Sequence, residues 1–176
     1  MLTQTQLMTV LSEVKQDIRA LGISVPNGIE YKVSKRMTRA HGNYCEFYQR
    51  DYTILGERKF IVTKRIIKVS ADIPVELAHE TLMHEVIHAI NFSQVKNPRY
   101  ENPGHGPKFQ ALAKLVNNTY PGKYHISTYA SKDEAKAVSQ VRQQKRAVRR
   151  STTGNVTYIQ MTAELTALMK NLNGGK

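Results

Sequence analysis

Two histidines four residues apart, with a glutamate between them, are the feature of this 176-residue chain that most directly predicts chemistry. In an α-helix, residues i and i+4 lie on one face, so His84 and His88 can direct two imidazoles at one metal ion. Glu85 follows the first histidine, where its carboxylate can act as the general base on a metal-bound water. The run His84-Glu85-Val86-Ile87-His88 therefore predicts a zinc site of the HExxH type.

Two neighbouring patterns do not extend this motif. His79-Glu80 is a near-copy, but the residue four positions after His79 is Met83, so we interpret His79 as a surface or core histidine of the helix. The metzincin pattern would place Gly at position 91 and His at position 94. The chain has Asn91 and Gln94 there, which excludes the metzincin arrangement.

A catalytic zinc ion needs a third protein ligand and an open position for water. His105 is the favoured candidate because it lies in the sequence PGHGP of residues 103–107, where glycines permit a tight turn and prolines stiffen the loop. Glu101 is the alternative, and it would give a site of two histidines and one carboxylate. Two further histidines are weaker candidates: His41 and His125.

The chemistry that such a site predicts is metal-assisted hydrolysis of an amide bond in a protein or peptide substrate. Glu85 would take the proton of the attacking water and pass it to the leaving amine. The tetrahedral oxyanion also needs a stabilising group. The sequence offers several and does not choose among them: Tyr100, Lys108, Tyr120, Tyr124 and His125.

The motif needs a helix, and the segment 75–92 predicts one because it has no glycine or proline and many good helix formers. Its apolar residues lie on more than one side, so we expect it to be largely buried. A further helix is predicted from Pro107, whose fixed φ suits a first turn. Apolar residues at helical spacing over 3–20 predict an amphipathic helix that ends near Gly22.

Three strand-like stretches precede the metal helix, at residues 29–33, 43–50 and 60–69. The second and third are separated by a polar loop, which indicates a hairpin. The predicted fold class is α+β, with a small mixed or antiparallel three-stranded sheet packed on the HExxH helix and flanking helices, as in zincins. We expect a domain over 1–125 and a basic helical extension over 126–176, with a helix near 131–149.

The run ETLMHEVIHAINF, followed by GHGPKFQALAKLVN, resembles the SprT-like domain of bacterial SprT proteins and of the DNA-dependent protease Spartan. The resemblance covers roughly residues 7–120. It implies a metallopeptidase with zinc ligands His84, His88 and His105 and catalytic Glu85. It also implies action on DNA-bound proteins. Bacterial SprT proteins often continue into a zinc ribbon with paired cysteines, whereas this chain has no cysteine in that region.

The net charge of +12 draws polyanions to the surface, and nucleic acid is the obvious one. Residues 31–68 hold ten Lys or Arg against three acidic residues, and residues 132–150 hold seven against two. These two basic segments are the predicted DNA contacts. They also motivate a second hypothesis, a nucleic-acid-binding protein with a structural or vestigial zinc site.

A single cysteine, Cys45, excludes a disulfide framework and favours a reducing, intracellular setting. Its alternating strand context predicts a packing role for Cys45 rather than a nucleophile. The sequence has no apolar run long enough to span a bilayer and no secretory signal at its start. We therefore expect a cytoplasmic protein, near the nucleoid if it binds DNA, with no membrane partner. Four aromatic residues could stack on bases but more simply predict cross-strand packing: Tyr44, Phe47, Tyr48 and Tyr52.

Overall fold

The computed structural model describes residues 1–37, 40–52, 58–95 and 103–128, and the single positions 139, 140, 143 and 147. Apart from these single positions, the described ranges contain three α-helices, one 3-10 turn and three strands, which confirms the predicted α+β class. In chain order the α-helices and strands are α1 (Gln4–Ala20), β1 (Ile29–Ser34), β2 (Gly42–Tyr52), β3 (Arg58–Ser70), α2 (Ala78–Ser93) and α3 (Pro107–Thr119). The predicted helix over 75–92 is in fact a 3-10 turn, Val75–Leu77, that continues into α2.

The three strands form one mixed sheet in the order β1-β3-β2. Strand β2 pairs antiparallel with β3, which confirms the predicted hairpin, and a register shift between Phe47 and Tyr48 interrupts the pairing. Strand β1 pairs parallel with β3, from Ile29 opposite Arg65 to Ser34 opposite Ser70. The last strand in sequence is thus central, and β1 and β2 are both edges.

Helix α1 begins at a capping box, in which the Thr3 side chain accepts from the Gln6 backbone N–H and the Gln6 side chain accepts from that of Thr3. Its first residue, Gln4, also covers the free edge of β1. The Gln4 amide donates to the Tyr31 carbonyl at 3.0 Å and accepts from the Val33 N–H at 2.9 Å. These bonds satisfy backbone groups of β1 that have no neighbouring strand to bond to, and they hold α1 against the sheet.

Helix α2 lies at the centre of the core and contacts both outer helices and the strands β2 and β3. Its apolar residues are almost completely buried, as predicted, and they pack with α1 residues such as Leu7 and Val14 and with Phe109 of α3. A helix buried on so many sides has little freedom to move. The side chains that it presents at its one open face are therefore held rigidly.

The chain divides into two units, Met1–Val138 and Ser139–Lys176. In the second unit, the four described positions are helical and exposed. They lie within the helix predicted near 131–149. The rest of the predicted helical extension falls outside the described residues, and the domain boundary at residue 125 stays a prediction. None of the helices in the described ranges is long and apolar enough to cross a membrane.

Candidate metal centre

Helix α2 presents His84 and His88 one turn apart on its open face. Both rings are half-buried, and their Nε2 atoms lie 3.2 Å from each other. The i, i+4 spacing alone produces this pairing, since it needs only a regular helix.

A tight turn immediately before α3 brings His105 to the same place. The Gly106 N–H donates to the Pro103 carbonyl at 2.9 Å, and Gly104 has a φ of 42°, a left-handed conformation that favours glycine. The side-chain amide of Gln110 donates to the His105 carbonyl at 3.1 Å, so the first turn of α3 holds this residue in place. The predicted tight turn around His105 is therefore present, with Pro107 as the first residue of α3.

The three Nε2 atoms form a nearly equilateral triangle. Nε2 of His105 lies 3.2 Å from that of His88 and 3.0 Å from that of His84. Three imidazole nitrogens bound to one tetrahedral zinc ion at about 2.0–2.1 Å would be roughly 3.3 Å apart. Because lone pairs that face one another repel, a cation at their centre is the arrangement that suits them best. Within the described residues, this is the only group of three or more potential ligands that could hold a metal ion.

Phe109 forms the floor of this cluster. Its ring is fully buried, and its centroid lies 4.8 Å from the ring of His84 and 4.7 Å from the rings of His88 and His105. The helix predicted from Pro107 includes Phe109, but the sequence assigned this residue no role at the site. Its spacing of four residues from His105 was a usable signal, because it places Phe109 in the first turn of α3, directly after the turn with His105.

The carboxylate of Glu85 lies beside the three rings and is only 6% exposed. Burial raises the pKa of this carboxyl to about 8, and a hydrogen bond from the Tyr44 backbone N–H acts in the opposite direction. Strand β2 is thus in direct contact with the predicted general base. Nothing in the sequence pattern indicated this contact, because it joins the sheet to the helix across 41 positions, from 44 to 85.

The His88 ring is held in its neutral form by its surroundings. Burial lowers its pKa to about 3, and the neighbouring His84 and His105 add to this effect. The ring is therefore held neutral, which is the form that binds metals. Its other nitrogen, Nδ1, is buried without a hydrogen-bond partner, and so are both side-chain amide atoms of Asn91, one turn further along α2.

An open cleft of about 320 Å³ runs past these groups. The three histidines, Glu85 and Phe92 line it, together with Gly104 and the first residues of β2. The Tyr44 and Phe92 rings lie 5.5 Å apart. The cleft thus combines an apolar wall with the polar cluster, as ligand sites commonly do.

The other predicted candidates lie elsewhere. His41 and His125 do not belong to the histidine cluster, and Glu101 and Tyr100 fall outside the described residues. Two of the proposed oxyanion groups bond to α1 instead. The Tyr120 hydroxyl donates to the Asp17 carbonyl at 3.0 Å and the Tyr124 hydroxyl to the Asp17 carboxylate at 2.6 Å.

His79 also has a structural partner, since its Nε2 lies 2.9 Å from a carboxylate oxygen of Glu13 and links α2 to α1. Cys45 is half-buried and donates to the side-chain oxygen of Asn43; Asn43 lines the cleft, but Cys45 does not. The four aromatic residues of β2 differ in burial. Tyr44 and Tyr48 are half-buried and donate to Glu46, whereas Phe47 and Tyr52 are 48% and 58% exposed.

Several cations of the first basic segment are engaged by carboxylates. Lys32 and Lys64 pair with Glu30 at 2.6 and 3.0 Å, and Arg65 pairs with the buried side chain of Glu46 at 3.0 Å. These pairs partly neutralise the exposed face of β1 and β3. Most of the second basic segment, 132–150, falls outside the described residues.

A sequence model described as the SprT-like family matches residues 11–130, more than half of the chain. This range includes α2, the turn with His105, the sheet and all of α3. No curated protein matches the chain significantly.

Proposed function

Because the chain belongs to the SprT-like family, we propose that it is a zinc-dependent endopeptidase. The observation that carries the proposal is the triangle of three Nε2 atoms, 3.0 to 3.2 Å apart, with a buried carboxylate beside it. Three neutral imidazoles and one open position are the ligand set of catalytic zinc sites.

In this proposal His84, His88 and His105 hold the ion. When bound, zinc lowers the pKa of a coordinated water to about 7 and polarises the scissile carbonyl. Glu85 accepts the proton of the attacking water on its carboxylate and then delivers it to the leaving amine. Burial supports this role, because it moves the pKa of Glu85 toward neutral, where a carboxylate both takes up and releases a proton.

The cleft supports a polypeptide as the substrate. It is open to solvent along the start of β2, and the rings of Tyr44 and Phe92 offer an apolar wall for a substrate side chain. Such a cleft suits a disordered segment better than a folded surface, because the substrate polypeptide must reach Glu85, which is only 6% exposed.

The test is cleavage of a disordered basic protein by the purified full chain loaded with zinc. Glu85→Gln is expected to keep one zinc per chain and to lose activity by roughly 10²–10⁴-fold, because it removes only the proton acceptor. Glu80→Gln, at the near-copy of the motif, is the matched control and should remain active. A protein that binds no zinc, or full activity in Glu85→Gln, would sink the proposal.

A nucleic-acid-binding protein with a structural zinc site is the second candidate, and the net charge of +12 favours it. We propose the basic segments 31–68 and 132–150 as the contacts, with Lys35, Arg36 and Lys68 as members of the first that form none of the ion pairs given above. Binding through several phosphates must weaken steeply with salt. Binding of single-stranded DNA by a zinc-loaded chain that cleaves no peptide would favour this candidate, whereas DNA that binds and accelerates cleavage would favour a DNA-activated peptidase. A flat salt dependence would reject DNA as a partner.

A further inference from the structure

Strand β2 begins at Gly42, directly beside two turns of α2. A Cβ atom at Gly42 would lie 2.6 Å from Oε1 and 2.7 Å from Cγ of Glu85, and 2.9 Å from Cγ2 of Thr81. Heavy atoms in contact are normally about 3.5–4.0 Å apart, so any side chain here would overlap both neighbours. The φ of Gly42 is not in the left-handed region. Space, and not backbone conformation, therefore requires glycine at this position.

Neither neighbour can yield easily. Cγ of Glu85 is the second carbon of a side chain that is only 6% exposed, so it moves only if the whole side chain changes rotamer. Thr81 is β-branched and lies within α2, where few χ1 rotamers are allowed. A methyl group at position 42 would thus turn Glu85 away from the strand or separate β2 from α2.

Strand β2 also bonds to the Glu85 carboxylate, for which Gly42 leaves room. Two residues further along, the Tyr44 backbone N–H donates to Glu85. Gly42 provides the room and Tyr44 provides the bond, so two neighbouring points of one strand define where the carboxylate lies. Strand β2 is anchored in turn by its antiparallel pairing with β3, where Gly42 lies opposite Val69.

We infer that Gly42 is a positioning residue that, together with the Tyr44 N–H, fixes the Glu85 carboxylate beside the three histidines. The inference rests on the proposed function only where it names Glu85 as the general base. The three histidines are not among the atoms nearest to a Cβ at Gly42. A substitution at Gly42 therefore displaces the base and leaves the metal ligands in place.

The first test is a double-mutant cycle on the thermal unfolding of the full chain. Gly42→Ala should lower the Tm by about 5 °C, as overpacking does in a chain of this size. In a Glu85→Ala background, the two closest contacts no longer exist and only that with Thr81 remains. In that background, Gly42→Ala should lower the Tm by no more than about half as much as it does in the wild type. Equal decreases in the two backgrounds, or no decrease in either, would overturn the inference.

The second test separates positioning from stability. Gly42→Ala should retain one zinc per chain and lose on the order of 10²-fold in kcat, with little change in KM, because the base is misplaced while binding is not. Gly28→Ala is the matched control. Gly28 has a φ of 72° and nothing within 4 Å of an added Cβ, so alanine costs stability there without touching Glu85.

An unchanged kcat in Gly42→Ala would overturn the positioning role. If the wild-type chain cleaves no peptide, the proposed function fails. The inference is then decided by the Tm coupling alone, because that measurement needs no activity.

Discussion

Nε2 of His105 lies 3.0 Å from Nε2 of His84, although 21 positions separate the two residues in the chain. One residue belongs to the central helix and the other to the turn before α3. The Phe109 ring touches both and keeps the turn against the helix. The packing of α3 thus places the third histidine of the cluster.

His105→Ala should lower the affinity for zinc by more than about 100-fold, because it removes one of three proposed ligands. Zinc content after dialysis against a weak chelator measures this loss. His125→Ala is the control, since His125 is exposed and outside the cluster, although the sequence alone left it as a candidate. Equal zinc loss in the two variants would contradict the assignment.

Phe109→Leu should lower zinc affinity by roughly 10-fold, since the floor that orients all three rings becomes smaller and less rigid. It should also destabilise the protein, because Phe109 is fully buried. Val116→Ala removes buried volume further along α3 and so controls for stability alone. Isothermal titration with zinc distinguishes them: Val116→Ala is expected to bind as the wild type does.

Asn91→Leu should stabilise the protein by about 1 kcal/mol, a rise in Tm of roughly 2–4 °C. Asn91 is 1% exposed and neither atom of its amide has a partner, so leucine removes an unsatisfied polar group at similar volume. Asn117→Leu should do the opposite. Its amide donates to the Ile126 carbonyl at 3.0 Å and accepts from the Ile126 N–H at 2.8 Å. A lower Tm in Asn91→Leu would mean that the amide has a partner in solution.

Tyr31→Phe should lose less stability than the wild type as the pH rises above 10. Burial raises the pKa of the Tyr31 hydroxyl to about 12 from an ordinary value of 10. The Tyr31 hydroxyl is therefore deprotonated at a lower pH in the unfolded chain than in the folded one. Its contribution to the free energy of unfolding is complete below pH 10 and is lost as the pH rises toward 12. Urea unfolding at pH 7 and above pH 10 measures the difference between the two proteins.

At pH 7 the same variant should be no less stable than the wild type, because the Tyr31 hydroxyl is buried without a partner. Tyr52→Phe, on a ring that is 58% exposed, is the control at both pH values. If both variants respond alike, burial of Tyr31 is not the cause.

Much of the fold could be predicted because its determinants are local. Apolar spacing identified α1 and α2, Pro107 marked the first residue of α3, and the polar loop after β2 indicated the hairpin. The parallel pairing of β1 with β3 could not be chosen from the sequence. It joins Ile29 to Arg65 across the whole hairpin, and no short-range pattern reports such a contact.

The sequence by itself determined the pairing of His84 with His88 and the place of Glu85 between them, because a helix of 3.6 residues per turn sets both. It also made His105 the favoured third ligand, through a turn that only glycine-rich sequence can form. Tertiary structure alone brought Nε2 of His105 to 3.0 Å from that of His84 and 3.2 Å from that of His88, and placed Gly42 and Tyr44 against Glu85. These contacts arise from how the sheet and α3 close on α2, and distances between separate elements are decided by packing of the whole core.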